Sequence, residues 1–337
     1  MSLNDQSRWL PSVSVIIPAY NNQLTIEETL QSVTNQNYQG SLEIIVVDDG
    51  STDQTPEIAQ RYASKVIRQS NKGPGVARNR GAREAIGDIL VFTDSDCVLS
   101  PQCISELVRP LQDATISGSQ GRYKCHDKAL ISRFVQYEYE ERARRQARVD
   151  NVYWIATHSA CYRREAFFQV GGFFEDSFSG GEDLDLSQRL TDCGLRMVFN
   201  SNAIVYHHHP DTLRKYITSK FARAYWMLRL YKRFPNRIIR DPITPALRKL
   251  MMVFLVCAVI STGSAFIWSP MLYISIISWI LLFLSTIPFT TRTLFKDPIV
   301  GIIAPGMMIL RTAVFTAGFT TGFWAFLRKG KFDQVSW

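Results

Sequence analysis

Two long segments without charged residues constrain the fold of this chain more than any other feature. Residues 250–268 carry no charge, and after Ser269-Pro270 a second uncharged segment covers residues 271–291. A helix needs about 20 apolar residues to cross the hydrocarbon core of a bilayer. Every backbone polar group must be paired inside lipid, so a segment of this kind folds as a helix. The two segments therefore predict a transmembrane hairpin that turns at Ser269-Pro270.

A third apolar segment covers residues 299–327 and is less regular. Pro305-Gly306 interrupts it and Arg311 lies inside it, so a third span, a broken helix and an interfacial helix all remain open. Gly318 and Gly322 have the spacing at which small residues let two helices pack closely. We therefore assign residues 250–337 to a transmembrane region with at least two helices.

Basic residues around the apolar segments predict their orientation. Arg248 and Lys249 precede the first segment, and Arg292 and Lys296 follow the second. Basic residues favour the cytoplasmic side of a membrane, which puts both flanks of the hairpin inside the cell. Residues 1–11 lack the apolar core of a signal peptide. The sequence thus predicts an integral protein of the cell inner membrane whose catalytic domain is cytoplasmic.

The positive charge of the chain is concentrated directly before the first span. Residues 211–249 contain eleven Lys and Arg residues but only two Asp residues, whereas the whole chain has a formal net charge of +8. Aromatic residues alternate with these cations, a pattern typical of amphipathic helices on anionic membranes. A nucleic-acid site would use similar residues. The position beside a transmembrane hairpin favours lipid, and we predict a membrane partner and no nucleic-acid partner.

Residues 1–210 have the pattern of an α/β domain with a mostly parallel sheet. Short apolar runs alternate with helical periodicity, which is the pattern of repeated βαβ units. The strands are predicted at residues 13–18, 42–47, 65–68 and directly before Asp94, and the helices at residues 24–35, 55–64 and 76–86. Farther along, the pattern predicts a helix over residues 130–148 and strands over residues 151–162 and 203–209.

Asp94 and Asp96 follow the strand that begins near Asp88. The carboxyl ends of parallel strands form the ligand-binding crevice of open α/β sheets. Two carboxylates at this place can share a divalent cation, which in turn can hold a diphosphate. The alternative is that both aspartates merely belong to a turn. Another predicted strand ends in three histidines at residues 207–209, and a histidine at a strand end can complete the same metal site, although a lone histidine is more often structural.

Further candidate residues follow other strands or begin helices. Asp49 follows the second strand, where a carboxylate can bind a base or a ribose or simply begin a turn. Lys72 and Arg78 lie in a glycine-rich stretch at the start of a helix, where a phosphate can bind, although a single stretch of this kind is more often a turn. Glu182 and Asp183 follow Gly180-Gly181 in the first turn of a helix. Acidic residues stabilise that position in any case, but the glycines would also let a carboxylate approach a substrate.

Five motifs in one order resemble family 2 glycosyltransferases of the GT-A fold. They are Val-Ser-Val-Ile-Ile-Pro-Ala-Tyr-Asn ending at Asn21, Val-Val-Asp-Asp-Gly-Ser-Thr-Asp ending at Asp53, Gly-Val-Ala-Arg-Asn ending at Asn79, Thr-Asp-Ser-Asp ending at Asp96, and Gly-Gly-Glu-Asp ending at Asp183. The resemblance covers about residues 12–210. It implies an inverting transfer from a nucleotide sugar.

The resemblance also implies roles for individual residues. Asp183 matches the catalytic base, and Asp94, Asp96 and His207 match ligands of Mn²⁺ or Mg²⁺. The nucleotide-sugar site is assigned to Pro18, Tyr20, Asn21, Asp49, Lys72, Arg78 and Asp94, and the acceptor side to Glu182, Trp154 and His158. Processive members carry Gln-x-x-Arg-Trp near the membrane. The nearest stretch, Lys220 to Trp226, does not match, so we expect a non-processive, membrane-anchored type.

We therefore expect a metal-dependent inverting glycosyltransferase with a lipid or lipid-linked acceptor. A hydroxyl acceptor is favoured, because Asp183 supplies a base that an ionised phosphate would not need. Polyprenyl phosphate remains the alternative acceptor. Two other classes also remain: a nucleotidyltransferase, which would normally have a basic glycine-rich loop after its first strand, and an inactive membrane scaffold, which would need none of these acids.

Overall fold

The computed structural model describes residues 9–125, 127–175, 181–233 and 246–329. The chain divides into two compact units, one made of residues 1–126 and 142–208 and the other of residues 127–141 and 209–337. Each unit has hydrophobic clusters of its own. The functional division of the sequence into residues 1–210, 211–249 and 250–337 stays a prediction.

The first unit is built on one sheet, in which the described residues form eight strands in the order β3-β2-β1-β4-β7-β6-β8-β5. The strands are β1 Val13–Ala19, β2 Leu42–Asp48, β3 Lys65–Arg68, β4 Ile89–Phe92, β5 Cys97–Leu99, β6 Ile116–Lys124, β7 Ala160–Arg163 and β8 Arg196–His207. The helices are α1 Ile26–Thr34, α2 Thr55–Ala59, α3 Pro74–Glu84, α4 Cys103–Val108, α6 Arg164–Gln169 and α7 Glu182–Asp192. Helix α5, Leu130–Gln146, begins in the second unit and ends in the first.

The parallel half of the sheet agrees with the sequence pattern. Strand β1 pairs in parallel with β2 and β4, and β2 pairs in parallel with β3. All residues of β1 are buried, as expected for a strand covered on both faces. Helix α3 packs tightly here, since a Cβ at Gly81 would lie 2.5 Å from a methyl group of Ile16. The strands and helices expected from the βαβ pattern are thus present, but the helix predicted over residues 55–64 ends at Ala59.

The other half of the sheet is largely antiparallel and follows no simple sequence pattern. Strand β7 runs antiparallel to β4 and β6, and β5 runs antiparallel to β8, so four of the seven pairings among the described residues are parallel. The strand expected over residues 151–162 is shorter than predicted, because a 3₁₀ turn at Thr157–Ser159 precedes Ala160–Arg163. The fold is a mixed α/β sheet domain.

The second unit is helical. Besides the first part of α5, it contains α8 Leu213–Arg233, α9 Ala246–Ser264, α10 Met271–Leu284, α11 Ile287–Lys296 and α12 Pro298–Lys329. Three helical stretches in the described part of the chain are long and apolar enough to cross a membrane, namely Ala246–Ser264, Met271–Lys296 and Pro298–Ala325. They coincide with the three apolar segments of the sequence. Helix α12 continues through Pro305, so the third segment is not a broken helix.

Helix α8 contains the first part of the basic segment, and several of its side chains are buried. Tyr216, Ala224 and Tyr225 are at most 3% exposed. Gly318 of α12 lies against α8, where a Cβ would be 2.6 Å from the carbonyl oxygen of Phe221. The close helix packing expected at this glycine is confirmed. Residues 234–245 of the basic segment lie outside the described part of the chain.

A buried ion cluster connects helices of the second unit. Arg311 donates a 2.6 Å hydrogen bond to Glu138, and the Lys220 ammonium lies 2.8 Å from the same carboxylate. Burial opposes ionisation of Glu138, but the two cations outweigh it and lower its pKa to about 2. The charge inside the third apolar segment therefore has a protein partner. Lys220, expected on a lipid-facing surface, is mostly buried at this carboxylate.

Candidate active site

Asp94 and Asp96 lie in the short turn between β4 and β5, at the carboxyl end of a central parallel strand. Their side chains are 32% and 41% exposed, so a ligand can reach both carboxylates. One ligand atom from each, together with the sulfur of buried Cys97, lies within 4.8 Å of the others. Carboxylate oxygens are the ligands that Mg²⁺ and Mn²⁺ prefer. The residues present therefore fit a divalent cation.

His207 ends β8 and reaches the same place. It pairs with Cys97 across the antiparallel ladder between β8 and β5. Its Nε2 lies 3.4 Å from Oδ2 of Asp96. The structure thus brings the third predicted metal ligand to Asp96, through a strand pairing that the sequence did not predict. Its role as a ligand stays a prediction.

Arg78 joins the aspartate turn to the start of α7. Its guanidinium is buried and donates one hydrogen bond of 2.7 Å to Asp94 and another of 2.9 Å to Glu182. Burial opposes the charged form, but the two carboxylates outweigh it and raise the pKa of Arg78. Arg78 and Glu182 are 104 residues apart in sequence. The last two sequence motifs therefore meet at a single guanidinium.

Asp183 lies beside Glu182 in the first turn of α7. Gly181 precedes this turn, and its positive φ of 87° suits a glycine. Its Oδ2 accepts a 2.9 Å hydrogen bond from the indole N–H of Trp154. Burial and the charge of Glu182 raise the pKa of Asp183 to about 6. A carboxylate with this pKa is ionised at neutral pH and more basic than an ordinary aspartate, which suits a general base.

Arg142, near the end of α5, was not predicted from the sequence to belong to the site. Its guanidinium lies over the indole of Trp154, 3.6 Å from the ring centroid. The cation also lowers the pKa of Asp183, against the larger effects of burial and Glu182. No local signal identifies it, because the helix around it is rich in arginine. Only the packing of α5 on Trp154 distinguishes this arginine from its neighbours.

Asp49 organises the loop before α3. Its carboxylate accepts hydrogen bonds of 2.9 Å and 2.8 Å from the backbone N–H groups of Lys72 and Gly73, and one from the side chain of Gln69. The Lys72 side chain itself is exposed. These bonds use three of the roughly four acceptor positions of the carboxylate, and Asp49 is only 4% exposed. The structure thus brings Asp49 and the backbone of Lys72 together, and their role in nucleotide-sugar binding stays a prediction.

The predicted nucleotide residues of the first strand differ in exposure. Tyr20 is 47% exposed, whereas Pro18 is buried inside β1 opposite Val47 and offers a ligand no polar group. Asn21 has a positive φ of 53°, and its side-chain oxygen accepts a hydrogen bond from the backbone N–H of Thr52. Asn21 therefore ties together the loops after β1 and β2. Tyr20 and Asn21 are exposed whereas Pro18 is not, and contact of these residues with a nucleotide stays a prediction.

His158 is connected to the metal side of the site through the ring of Tyr123. Its ring is 5% exposed and stacks on Tyr123, with centroids 3.4 Å apart. Tyr123 in turn lies 5.0 Å from the ring of His207. The assignment of His158 to the acceptor side stays a prediction. Tyr123 was missed from the sequence, because β6 carries no pattern that predicts the strand.

Comparisons with known proteins identify the family and the fold of this chain. The family model described as glycosyl transferase family 2 matches residues 14–171. An N-acetylglucosaminyltransferase of Rhizobium leguminosarum bv. viciae is 30% identical over 263 residues, which cover 72% of this chain and 60% of that protein. A second rhizobial N-acetylglucosaminyltransferase is matched over 52% of its length. The chain thus spans about half to three fifths of these relatives.

Glycosyltransferase AglE of Haloferax volcanii is 31% identical over 217 residues, which cover 59% of this chain and 67% of that protein. Among solved structures, the mannosyltransferase PcManGT of Pyrobaculum calidifontis, in complex with GDP-Man and Mn²⁺, matches with a TM-score of 0.62. The match covers 94% of this chain and 88% of that one at 20% identity, and it shows a shared GT-A fold. The chain belongs to glycosyltransferase family 2.

Proposed function

We propose that this protein transfers a sugar, with inversion, from a nucleotide-sugar donor to a lipid or lipid-linked hydroxyl at a membrane. One observation carries the proposal: the guanidinium of Arg78 hydrogen-bonds both Asp94 and Glu182, the neighbour of Asp183. A donor-binding carboxylate and a candidate base therefore belong to one site. The solved structure of the mannosyltransferase with this fold is a complex with GDP-Man and Mn²⁺, which supports a nucleotide-sugar donor for this chain as well.

Asp94, Asp96 and His207 would hold the divalent cation. This ion would neutralise the charge that develops on the leaving diphosphate. Two carboxylates with one imidazole suit Mn²⁺ better than Mg²⁺, because imidazole is a better ligand for transition metals. Arg78, which already contacts Asp94, adds a second positive charge on this side of the site.

Asp183 would take the proton from the acceptor hydroxyl as the oxygen attacks. Its pKa of about 6 keeps it ionised at neutral pH. The hydrogen bond from Trp154 fixes one carboxylate oxygen, and the backbone N–H of Leu184 donates a 2.8 Å hydrogen bond to the other. Trp154 therefore acts on the acceptor side by orienting the base, and Glu182 acts by raising its basicity.

The membrane-linked acceptor is supported by the three apolar helical stretches. The basic residues Arg248, Lys249, Arg292 and Lys296 at their ends favour a cytoplasmic catalytic domain on the inner membrane. A phosphate oxygen on a polyprenyl carrier is already ionised and needs no base, whereas a hydroxyl must lose its proton. The environment of Asp183 therefore favours the hydroxyl.

The central test incubates the purified full chain, in detergent with Mn²⁺, with a panel of nucleotide sugars. The measurement identifies the product that is released. We expect release of a nucleoside diphosphate, lost in EDTA and nearly lost in Asp94→Asn and Asp96→Asn. Both aspartates are partly exposed, so both variants should fold, although Asp94→Asn should lower the unfolding temperature somewhat because Asp94 pairs with the buried Arg78. Release of pyrophosphate would instead indicate a nucleotidyltransferase, and equal turnover in EDTA would refute the metal assignment.

A second test separates the two acceptor classes. Asp183→Asn should still bind the donor, but transfer to a hydroxyl should fall by about 100-fold or more, because the amide cannot accept the proton. The matched measurement is the rate at which the same variant transfers the sugar to a polyprenyl phosphate. Substantial transfer to that phosphate would assign Asp183 a positioning role and make the polyprenyl-phosphate acceptor the correct one.

A further inference from the structure

Three aromatic rings form a stack that ends at the metal side of the site. Tyr123 of β6 lies nearly parallel to the ring of His158, at an interplanar angle of 15° and a centroid distance of 3.4 Å. The centroid of the Tyr123 ring also lies 5.0 Å from that of the His207 ring, at an interplanar angle of 36°. We call His158, Tyr123 and His207 the ring stack. None of the proposed chemistry uses Tyr123, although it touches a proposed metal ligand.

The sheet itself fixes the ring stack. Tyr123 pairs with Val205 in the parallel ladder of β6 and β8. His207 is two residues beyond Val205 on β8, and side chains two apart on a strand share a face. Tyr123 and His207 are therefore diagonal neighbours on adjacent strands, a spacing at which aromatic rings can make contact. His158 completes the stack just before β7, the other neighbour of β6. Tyr123 is therefore held by strand pairing and by a buried ring.

We propose that Tyr123 is a positioning residue for the metal site, whose ring holds the imidazole of His207 in the orientation that directs Nε2 to Asp96. This inference rests on the proposed role of His207 as a metal ligand. An imidazole without neighbours rotates about its Cβ–Cγ bond and presents Nε2 in only a fraction of its orientations. A ring packed against one face restricts that rotation. Partners that orient a metal ligand typically change metal affinity by about 10- to 100-fold.

The ring and the hydroxyl of Tyr123 make separate contacts. The ring contacts the two histidines, whereas the hydroxyl lies 4.0 Å from the sulfur of Cys97. A distance of this size to sulfur is a weak hydrogen bond at most. The ring is therefore the part of Tyr123 that acts on His207, and Phe should replace Tyr while Met should not.

The test uses the full chain in detergent with Mn²⁺ alone, so that no donor or acceptor is needed. Electron paramagnetic resonance measures free Mn²⁺ for the affinity, and nitrogen modulation of the bound signal reports a directly coordinated imidazole. We expect Tyr123→Met to weaken Mn²⁺ binding by about 10-fold and to reduce the nitrogen modulation. Tyr123→Phe should keep both close to those of the original protein. His207→Ala is the reference that lacks the modulation.

The reference variant His207→Ala distinguishes failure of the ligand role of His207 from failure of the positioning role of Tyr123. If His207→Ala binds Mn²⁺ like the original protein, the ligand role of His207 fails and the inference fails with it. If His207→Ala binds weakly but Tyr123→Met binds normally, with full nitrogen modulation, the inference alone is overturned. If Tyr123→Met does not fold, His158→Met removes the backing ring while leaving Tyr123 in place. We expect a smaller loss of affinity from it, and unchanged affinity would contradict the stack.

Discussion

The indole N–H of Trp154 donates a 2.9 Å hydrogen bond to Oδ2 of Asp183, a residue 29 positions later in the chain. This bond favours the ionised carboxylate, whereas burial and the charge of Glu182 favour the protonated one. The pKa of Asp183, about 6, is the balance of these opposing effects. Changing either neighbour should therefore move the acidic limb of the pH profile, and the direction depends on which neighbour is changed.

Trp154→Phe should move the acidic limb of kcat/KM to higher pH. Phe keeps a ring under Arg142 but removes the hydrogen bond that stabilises the carboxylate, so the pKa of Asp183 rises. Hydrogen bonds to charged groups contribute about 1.5–3 kcal/mol, and one pH unit corresponds to about 1.4 kcal/mol. Because Asp183 is partly exposed, we expect a shift of about one unit. A limb that stays in place would contradict the role of Trp154.

Glu182→Gln should move the same limb in the opposite direction. Removing the neighbouring negative charge stabilises the Asp183 carboxylate and lowers its pKa below about 6. The amide oxygen of Gln can still accept the hydrogen bond from Arg78, so the guanidinium should stay in place. The measurement is the pH dependence of kcat/KM beside that of Trp154→Phe. Shifts in the same direction for both variants would show that the limb does not report Asp183.

Gly318→Ala should destabilise the helical unit. The added Cβ would lie 2.6 Å from the carbonyl oxygen of Phe221 and 3.0 Å from the Cβ of Ala224, and a backbone atom cannot move aside cheaply. Overpacking of this kind costs about 1–3 kcal/mol. Gly306→Ala is the matched control in the same helix, because nothing lies within 4 Å of its Cβ position. Thermal unfolding in detergent should separate the two variants, and equal unfolding temperatures would contradict the close packing.

Arg311→Gln should destabilise the same unit through the buried ion cluster. The side chains of Arg311 and Glu138 are 9% and 8% exposed. Removing one partner of a buried pair costs about 3–5 kcal/mol, and the remaining cation Lys220 puts the expected loss near the lower end. The matched control is Lys215→Gln. Lys215 pairs with Asp211, and the two side chains are 65% and 50% exposed. Exposed pairs contribute at most about 1 kcal/mol. Equal losses in chemical denaturation would contradict the prediction.

The same cluster should make stability depend on pH in one direction. The pKa of Glu138 falls from 4.5 to about 2 on folding, so the ionised carboxylate favours the folded state. This contribution is complete above pH 4.5 and is lost as the pH falls toward 2. Glu138→Gln should remove that part of the acid dependence. An acid transition identical to that of the original protein would show that Glu138 does not contribute to it.

The sequence by itself determined the parallel half of the sheet, the apolar helical stretches and the positions of Asp94, Asp96 and Asp183. Each of these rests on a local signal: a short apolar run between turns, an uncharged stretch of membrane length, or a carboxylate at a strand end or helix start. The residues that make up each signal are neighbours in the sequence. They reflect burial and backbone hydrogen bonding, which act along the chain.

Only the tertiary structure decided which side chains meet at the site. Arg78 reaches Glu182 across 104 residues, and Tyr123 reaches His207 through a strand pairing without a sequence pattern. Tertiary packing also placed Lys220 at Glu138 inside the protein instead of on a membrane-facing surface. The physical reason is that the environment of an arginine, tyrosine or lysine depends on partners from distant segments. Local periodicity predicts which face of an element is buried but does not identify those partners.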